Sequence, residues 1–206
     1  VAGSGNISGL VLAVLEQIKD KEISVIYIRP NAKSLSGKKK LLERATFGIL
    51  QEYARSGLLD NIYIISNELV AKQIGNLPVI GYFDKINDMI VSTIHFMNIF
   101  NRTPHVYGST EEGSPVCRIS TIGLLEPRTS EEKMFYNFDL VKEKSYFYAF
   151  RKAELLNESS LVSTLEEQIE GKKEKWLTCI SYRLYSTEYE NDYGYCTHST
   201  SKVQEE

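Results

Sequence analysis

Apolar positions in the first hundred residues follow two periods in turn. Leu10, Val11, Val14, Leu15 and Ile18 recur at helical spacing and predict a helix over about 8–19. KEISVIYIRP then carries an unbroken, mostly β-branched run over 23–28, the pattern of a strand covered on both faces. A polar loop, NAKSLSG, leads into KKKLLERATFGILQEYARSG, where Leu42, Ala45, Ile49 and Tyr53 share a helix face and Gly57 stands where a C-terminal cap belongs. NIYIIS is a second unbroken strand over 61–66, and one long helix follows over about 82–101, closed by Pro104. Helix, strand, helix and strand with short links predict an α/β fold: a parallel sheet with flanking helices.

Beyond Pro104 the texture changes. HVYGSTEEGS reads as loop, VCRISTIGLL as a strand, and KSYFYAF as another. Leu161, Leu165 and Ile169 predict an amphipathic helix with Asn157 or Ser159 as its N-cap. The segment 176–201 reads as a strand, a turn near 191–194 and a returning strand, and the polar tail SKVQEE as frayed. The expected organisation is 1–104 as an α/β nucleotide-binding domain ending in the long helix and 105–206 as an α+β domain. The long helix should join the two and be largely buried.

Composition narrows the classes. With 206 residues, 42% hydrophobic and 25% charged, the chain suits one large domain or two small ones. Its 24 basic and 27 acidic residues leave a net charge of −3, so no overall field points to nucleic acid or to an anionic membrane. No apolar run approaches the roughly 20 residues that span a bilayer, and no basic leader precedes the first helix; membrane insertion is not expected and the cytoplasm is. Cys117, Cys179 and Cys196 form no CxxC pair, which suits reduced thiols, and His95, His105 and His198 lack ligand-like spacing, so no metal site is expected. Tyr182, Tyr185, Tyr189, Tyr193 and Tyr195 are read as sheet packing rather than as a stacking platform, because the chain is acidic overall and only Arg183 is interleaved with them.

Gly3, Gly5 and Gly9, placed just before a helix, support three readings. They permit a tight turn and close packing. They form a GxGxxxG variant of a dinucleotide fingerprint, with Arg29 at the next strand's end facing an NADP 2′-phosphate. They also suit a phosphate over 6–9, where helix N-terminal amides and the helix dipole favour an anion. Lys38, Lys39 and Lys40 begin the next helix, where cations oppose the dipole unless an anion is bound. Asn67 and Asn87 carry amides that offer a base edge both a donor and an acceptor, although such residues also form turns or face solvent.

Taken in order, these segments resemble the tubulin/FtsZ family of polymerising GTPases over about residues 1–115. Gly3-Ser4-Gly5-Asn6-Ile7-Ser8-Gly9 stands in place of the family's Gly-Gly-Gly-Thr-Gly-Ser-Gly loop, with Ile7 the departure. Arg29-Pro30 and then Ser36-Gly37-Lys38-Lys39-Lys40 follow, Ser66-Asn67-Glu68 replaces Pro-Asn-Asp, and Phe83, Asn87-Asp88 and Thr103-Pro104 fit the long helix without a gap. The resemblance implies GTP or GDP held by Gly3, Ser4, Gly5, Asn6, Ser8, Gly9, Lys40, Asn67 and Asn87, with Mg as a further candidate. It implies head-to-tail self-association into filaments for cell division or for plasmid or phage DNA positioning, without direct nucleic-acid contact.

In the family, hydrolysis is completed by acidic residues that one subunit lends to the next. Here Gly108, Thr110 and Gly113 replace that Asn-x-Asp-x-x-Asp pattern, which leaves Glu111 and Glu112 as candidate catalytic acids in a shifted register. The family's earlier phosphate loops precede the signature loop. A chain that starts part-way through the GTPase domain is therefore not expected to turn over GTP at a family-like rate. Two other classes stay open: an NADP-binding oxidoreductase and a non-catalytic interaction domain.

Overall fold

A computed structural model describes residues 1–3, 8–31, 35–109, 111 and 113–205. β1 (Ser24–Arg29) and β2 (Asn61–Ser66) pair in parallel along their whole lengths. β3 (Tyr107–Gly108) lies on the far edge of the sheet, and β4 (Ile119–Leu125) joins β2 in parallel through Ile62–Ile119 and Tyr63–Ser120. β5 (Glu132–Met134) pairs with β4 off the main path. β6 (Glu143–Arg151) and β7 (Cys179–Thr187) are parallel, and β8 (Tyr193–Thr200) runs antiparallel between β4 and β6. The order is β1-β2-β4-β8-β6-β7-β3, so β1, β2, β4, β6 and β7 all point one way.

Alternate side chains of β1 and β2 feed two layers, as the period of a strand requires. Val25, Tyr27, Ile62 and Ile64 meet α1 (Val11–Gln17) and α2 (Gly37–Arg55). Ile26, Ile28, Tyr63 and Ile65 meet α3 (Asn67–Ile74) and α4 (Tyr82–Phe100), whose layer continues over Phe147, Tyr185 and Tyr195. α5 (Lys152–Asn157) leads into α6 (Leu161–Gly171), which covers Tyr146, Tyr148, Leu184 and Cys196. The buried tyrosines pack as expected: Tyr195 stacks on Phe147 at 4.3 Å and Tyr185 packs at a tilt on Phe100 at 4.4 Å.

Several expectations are corrected. α2 does not bury the face carrying Leu42, Ala45 and Ile49; it buries Glu43, Thr46, Phe47, Leu50, Gln51 and Ala54. The rotation follows from Glu43, whose Oε1 accepts from Arg29 Nε at 3.2 Å and from Tyr27 Oη at 3.3 Å, while Arg29 lies 4.2 Å over the Phe47 ring. The pattern along the chain predicts no helix directly after β2, yet one is there. Ser66 caps α3 by accepting from Leu69 N, Glu68 lies in its first turn and Lys72 in its last, and Gly75 ends it at φ 86°. The expected C-terminal helix starts at Leu161 with Ser160, not Asn157 or Ser159, as its cap residue. The last two strands are not a hairpin, because β6 lies between them.

The tail is not frayed at Gln204. That residue is buried, and its N donates to Gln51 Oε1 at 2.7 Å while its O accepts from Gln51 Nε2 at 3.1 Å. α4 is one continuous helix as expected, yet only Ile86, Ile90, Thr93, Met97 and Phe100 are buried on it, and Phe83 and Val91 stand 62% and 63% exposed.

Candidate functional site

The carboxyl ends of β1 and β2 open toward one side, where open α/β sheets bind ligands. The chain leaves β1 through Arg29, Pro30 and Asn31, and leaves β2 directly into α3. Gly81, at φ 78°, turns the backbone into α4 and sets Tyr82 and Phe83 at the same edge. The result is a cleft of about 680 Å³ lined by Pro30, Asn31, Asn67, Ala71, Tyr82 and Phe83 among others, a size that suits a small heterocyclic ligand. Its Asn67 carries a buried Oδ1 without a hydrogen-bond partner among the described residues, an acceptor that costs stability until a donor arrives. Phe83 lines the same cleft, its ring packed edge-on against Tyr82 at 5.2 Å. Glu68 and Lys72 pair across the wall at 3.1 Å.

The other expected residues are placed as follows. Asn87 is exposed one turn beyond Phe83 on α4 and just outside the cleft lining. Lys40 is exposed in the first turn of α2, a turn that holds no acid. Ser8 opens a 3₁₀ turn over Ser8–Leu10, and Gly9 sits 3.9 Å from Leu42 Cδ1 if given a Cβ. Ser4, Gly5, Asn6 and Glu112 lie outside the described residues.

Gly3 has a packing role. It is buried, a Cβ there would come within 2.5 Å of Tyr27 Oη, and its N donates to Ile28 O at 2.9 Å. With Ile28 N donating to Val1 O, residues 1–3 extend the sheet beside β1 in parallel. The Gly3 amide is thus committed to the sheet rather than to an anion. Arg29 is likewise engaged, with Glu43, with the Tyr136 hydroxyl at 3.2 Å and with the Phe47 face. An arginine so held does not reach out to an NADP 2′-phosphate, which removes the main support for the oxidoreductase reading. Burial and then the Glu43 charge push the Tyr27 phenol far above its ordinary pKa, so it remains a neutral donor.

Glu111 lies elsewhere. After α4 the chain pairs β3 with β7, and Glu111 accepts from the Cys179 thiol at 3.9 Å, beside the start of β7. Burial, then Glu143 and Glu111, hold that thiol above its usual range, and burial followed by Glu143 pushes Cys117 up to about 11. Both stay neutral at pH 7. The amino ends of β6 and β7 lie at the end of the sheet opposite the cleft; α4 ends with Phe100 against Tyr185, near the carboxyl end of β7, and the chain then runs back along β7 through β3 to reach Cys179. The structure therefore brings Asn67 and Phe83 together and keeps Glu111 apart from them.

No protein-family model matches the chain, and no curated protein matches it. Solved structures do. A GTPγS-form protofilament of TubZ from Bacillus thuringiensis serovar israelensis superposes with a TM-score of 0.62 at 17% identity, covering 97% of this chain and 58% of that one. CetZ from Methanosaeta thermophila gives 0.68 at 14% identity, covering 98% and 60%. TubZ in GDP-form protofilaments gives 0.59 at 16% identity, covering 99% and 63%. TubZ and CetZ are proteins of the tubulin/FtsZ family, and this chain spans about three fifths of their length. Over that span, the parallel strands, flanking helices and long central helix have the tubulin/FtsZ fold.

Proposed function

We propose that this chain is a guanine-nucleotide-binding part of a tubulin/FtsZ-like protein that assembles head to tail in the cytoplasm. The observation that carries the reading is that Asn67, whose Oδ1 has no hydrogen-bond partner among the described residues, lines one cleft with the exposed Phe83. Guanine presents two adjacent N–H donors, at N1 and N2, to that acceptor, whereas adenine offers a single donor, its N6 amino group, next to a bare N1 acceptor. Phe83 supplies a stacking face, and Asn87, one turn on, supplies a second amide at the rim. Ser4, Gly5, Asn6, Ser8 and Gly9 are the proposed phosphate contacts, with Lys40 from α2 and Mg as counter-ion. Polymerisation is supported by the TubZ structures, which are protofilaments, and by the distance between the cleft and Glu111. A chain stacked on another would set Glu111 and Glu112 over its neighbour's cleft, where a carboxylate orients the attacking water.

Equilibrium titration with fluorescent GDP, ADP and NADPH analogues tests the reading. Saturable binding of the guanine analogue alone, lost in Asn67→Ala, is expected. Preference for NADPH, or equal binding of ADP and GDP, would overturn it.

A further inference from the structure

The densest cluster of ligating atoms lies away from the cleft, under α6. Cys196 and His198, two apart on β8, project from one face of the sheet. Cys196 stands opposite Gly123 of β4, where a Cβ would come within 2.7 Å of Met134 Sδ. The missing side chain leaves room for Met134, whose Sδ lies 3.4 Å from Cys196 Sγ. Ligand atoms of Glu132, Cys196 and His198 all lie within 4.8 Å of one another. His198 is 8% exposed, and its Nε2, although 2.9 Å from Glu132 Oε2, makes no hydrogen bond of acceptable geometry among the described residues. Glu132 is already held by the Tyr146 hydroxyl at 2.9 Å and by Lys172. A cavity of about 420 Å³ lined by Phe138, Trp176 and His198 gives access from solvent.

We propose that Cys196, Met134 and His198 bind one Cu(I) ion. Two sulfurs at 3.4 Å fit a centre about 2.3 Å from each, and the thiolate, thioether and imidazole set is the soft one that favours Cu(I). Charge selects the monovalent ion. Lys172 neutralises Glu132, so a thiolate and Cu(I) together add no net buried charge, whereas a divalent ion would leave one uncompensated. Binding forms the Cu–S bond and releases the Cys196 thiol proton to solvent, one proton per ion. Cu(I) at His198 Nε2 replaces that nitrogen's 2.9 Å contact with Glu132 Oε2, and Glu132 stays held by Tyr146 and Lys172.

The test is an anaerobic titration of the whole chain with Cu(I), in competition with a chromophoric Cu(I) chelator. Wild type is expected to take up one equivalent, release one proton and melt at a higher temperature. The Cys117→Ser/Cys179→Ser variant should do the same. Cys196→Ser should weaken binding at least about 100-fold and the volume-conserving Met134→Leu about tenfold. If Cys196→Ser fails to fold, Met134→Leu and X-ray absorption of the loaded wild type decide: two sulfurs and one nitrogen around copper support the site. Absence of binding, binding unchanged in Met134→Leu, or binding lost only with Cys117 and Cys179 overturns it.

Discussion

A buried carbonyl oxygen without a donor has a definite cost, and at Asn67 that cost can be read in two directions. Asn67→Ala removes the unpartnered acceptor, so the variant's unliganded stability should hold or rise by about 1 kcal/mol. Its affinity for GDP should fall about tenfold or more, because the base then loses its partner in a desolvated site. Thermal melts with and without GDP, beside a binding titration, separate the two effects. A loss of stability in the unliganded protein would mean that Asn67 is a structural residue. Gly3 shows the opposite case: its lack of a Cβ answers to Tyr27, a residue 24 positions later in the chain that periodicity cannot connect to it.

At the scale of elements, α2 is oriented by a pair that hydrophobic spacing does not reveal. Glu43 and Arg29 are 3% and 12% exposed at their side chains, and removing one partner strands the other. Glu43→Ala should therefore cost about 3 kcal/mol in denaturant unfolding, while Arg29→Met with Glu43→Leu together should recover much of the loss. Additive losses in the double variant would show that the pair does not hold the helix. The same accounting applies at the tail, where Gln51 joins α2 to Gln204 through two hydrogen bonds. Gln51→Ala leaves both Gln204 backbone groups buried and unpaired. A loss of about 2 kcal/mol is expected, with faster hydrogen exchange at the Gln204 amide; unchanged exchange would place the tail's stability elsewhere.

For the molecule as a whole, the decisive feature is that the cleft and Glu111 occupy opposite edges of the sheet. No single molecule can bring that carboxylate to its own cleft, and the Gly3 amide is spent on Ile28. The 206-residue chain is therefore predicted to bind guanine nucleotide with phosphate release close to background, measured across a range of protein concentrations. Vigorous release that rises per molecule with concentration and disappears in Glu111→Ala would contradict this, and would place a working shared site in the present chain.

Much of the local architecture was determined by sequence alone. The unbroken apolar runs specified β1 and β2, because a strand covered on both faces has no polar side to show. The long apolar period specified α4, and Phe83 and Asn67 stood at element ends where motif spacing could place them. The sequence did not disclose α3, whose start looks like a turn until Ser66 is seen to cap it, nor the insertion of β6 between β7 and β8. Strand order depends on pairings across dozens of residues, which no local period encodes. Tertiary structure alone decided which α2 face is buried, since a buried glutamate is stable only beside its arginine. It also decided that Met134 meets Cys196 beside His198: the spacing of two on β8 was legible, but Met134 reaches Cys196 only across Gly123, through the register of β4 with β5 and β8.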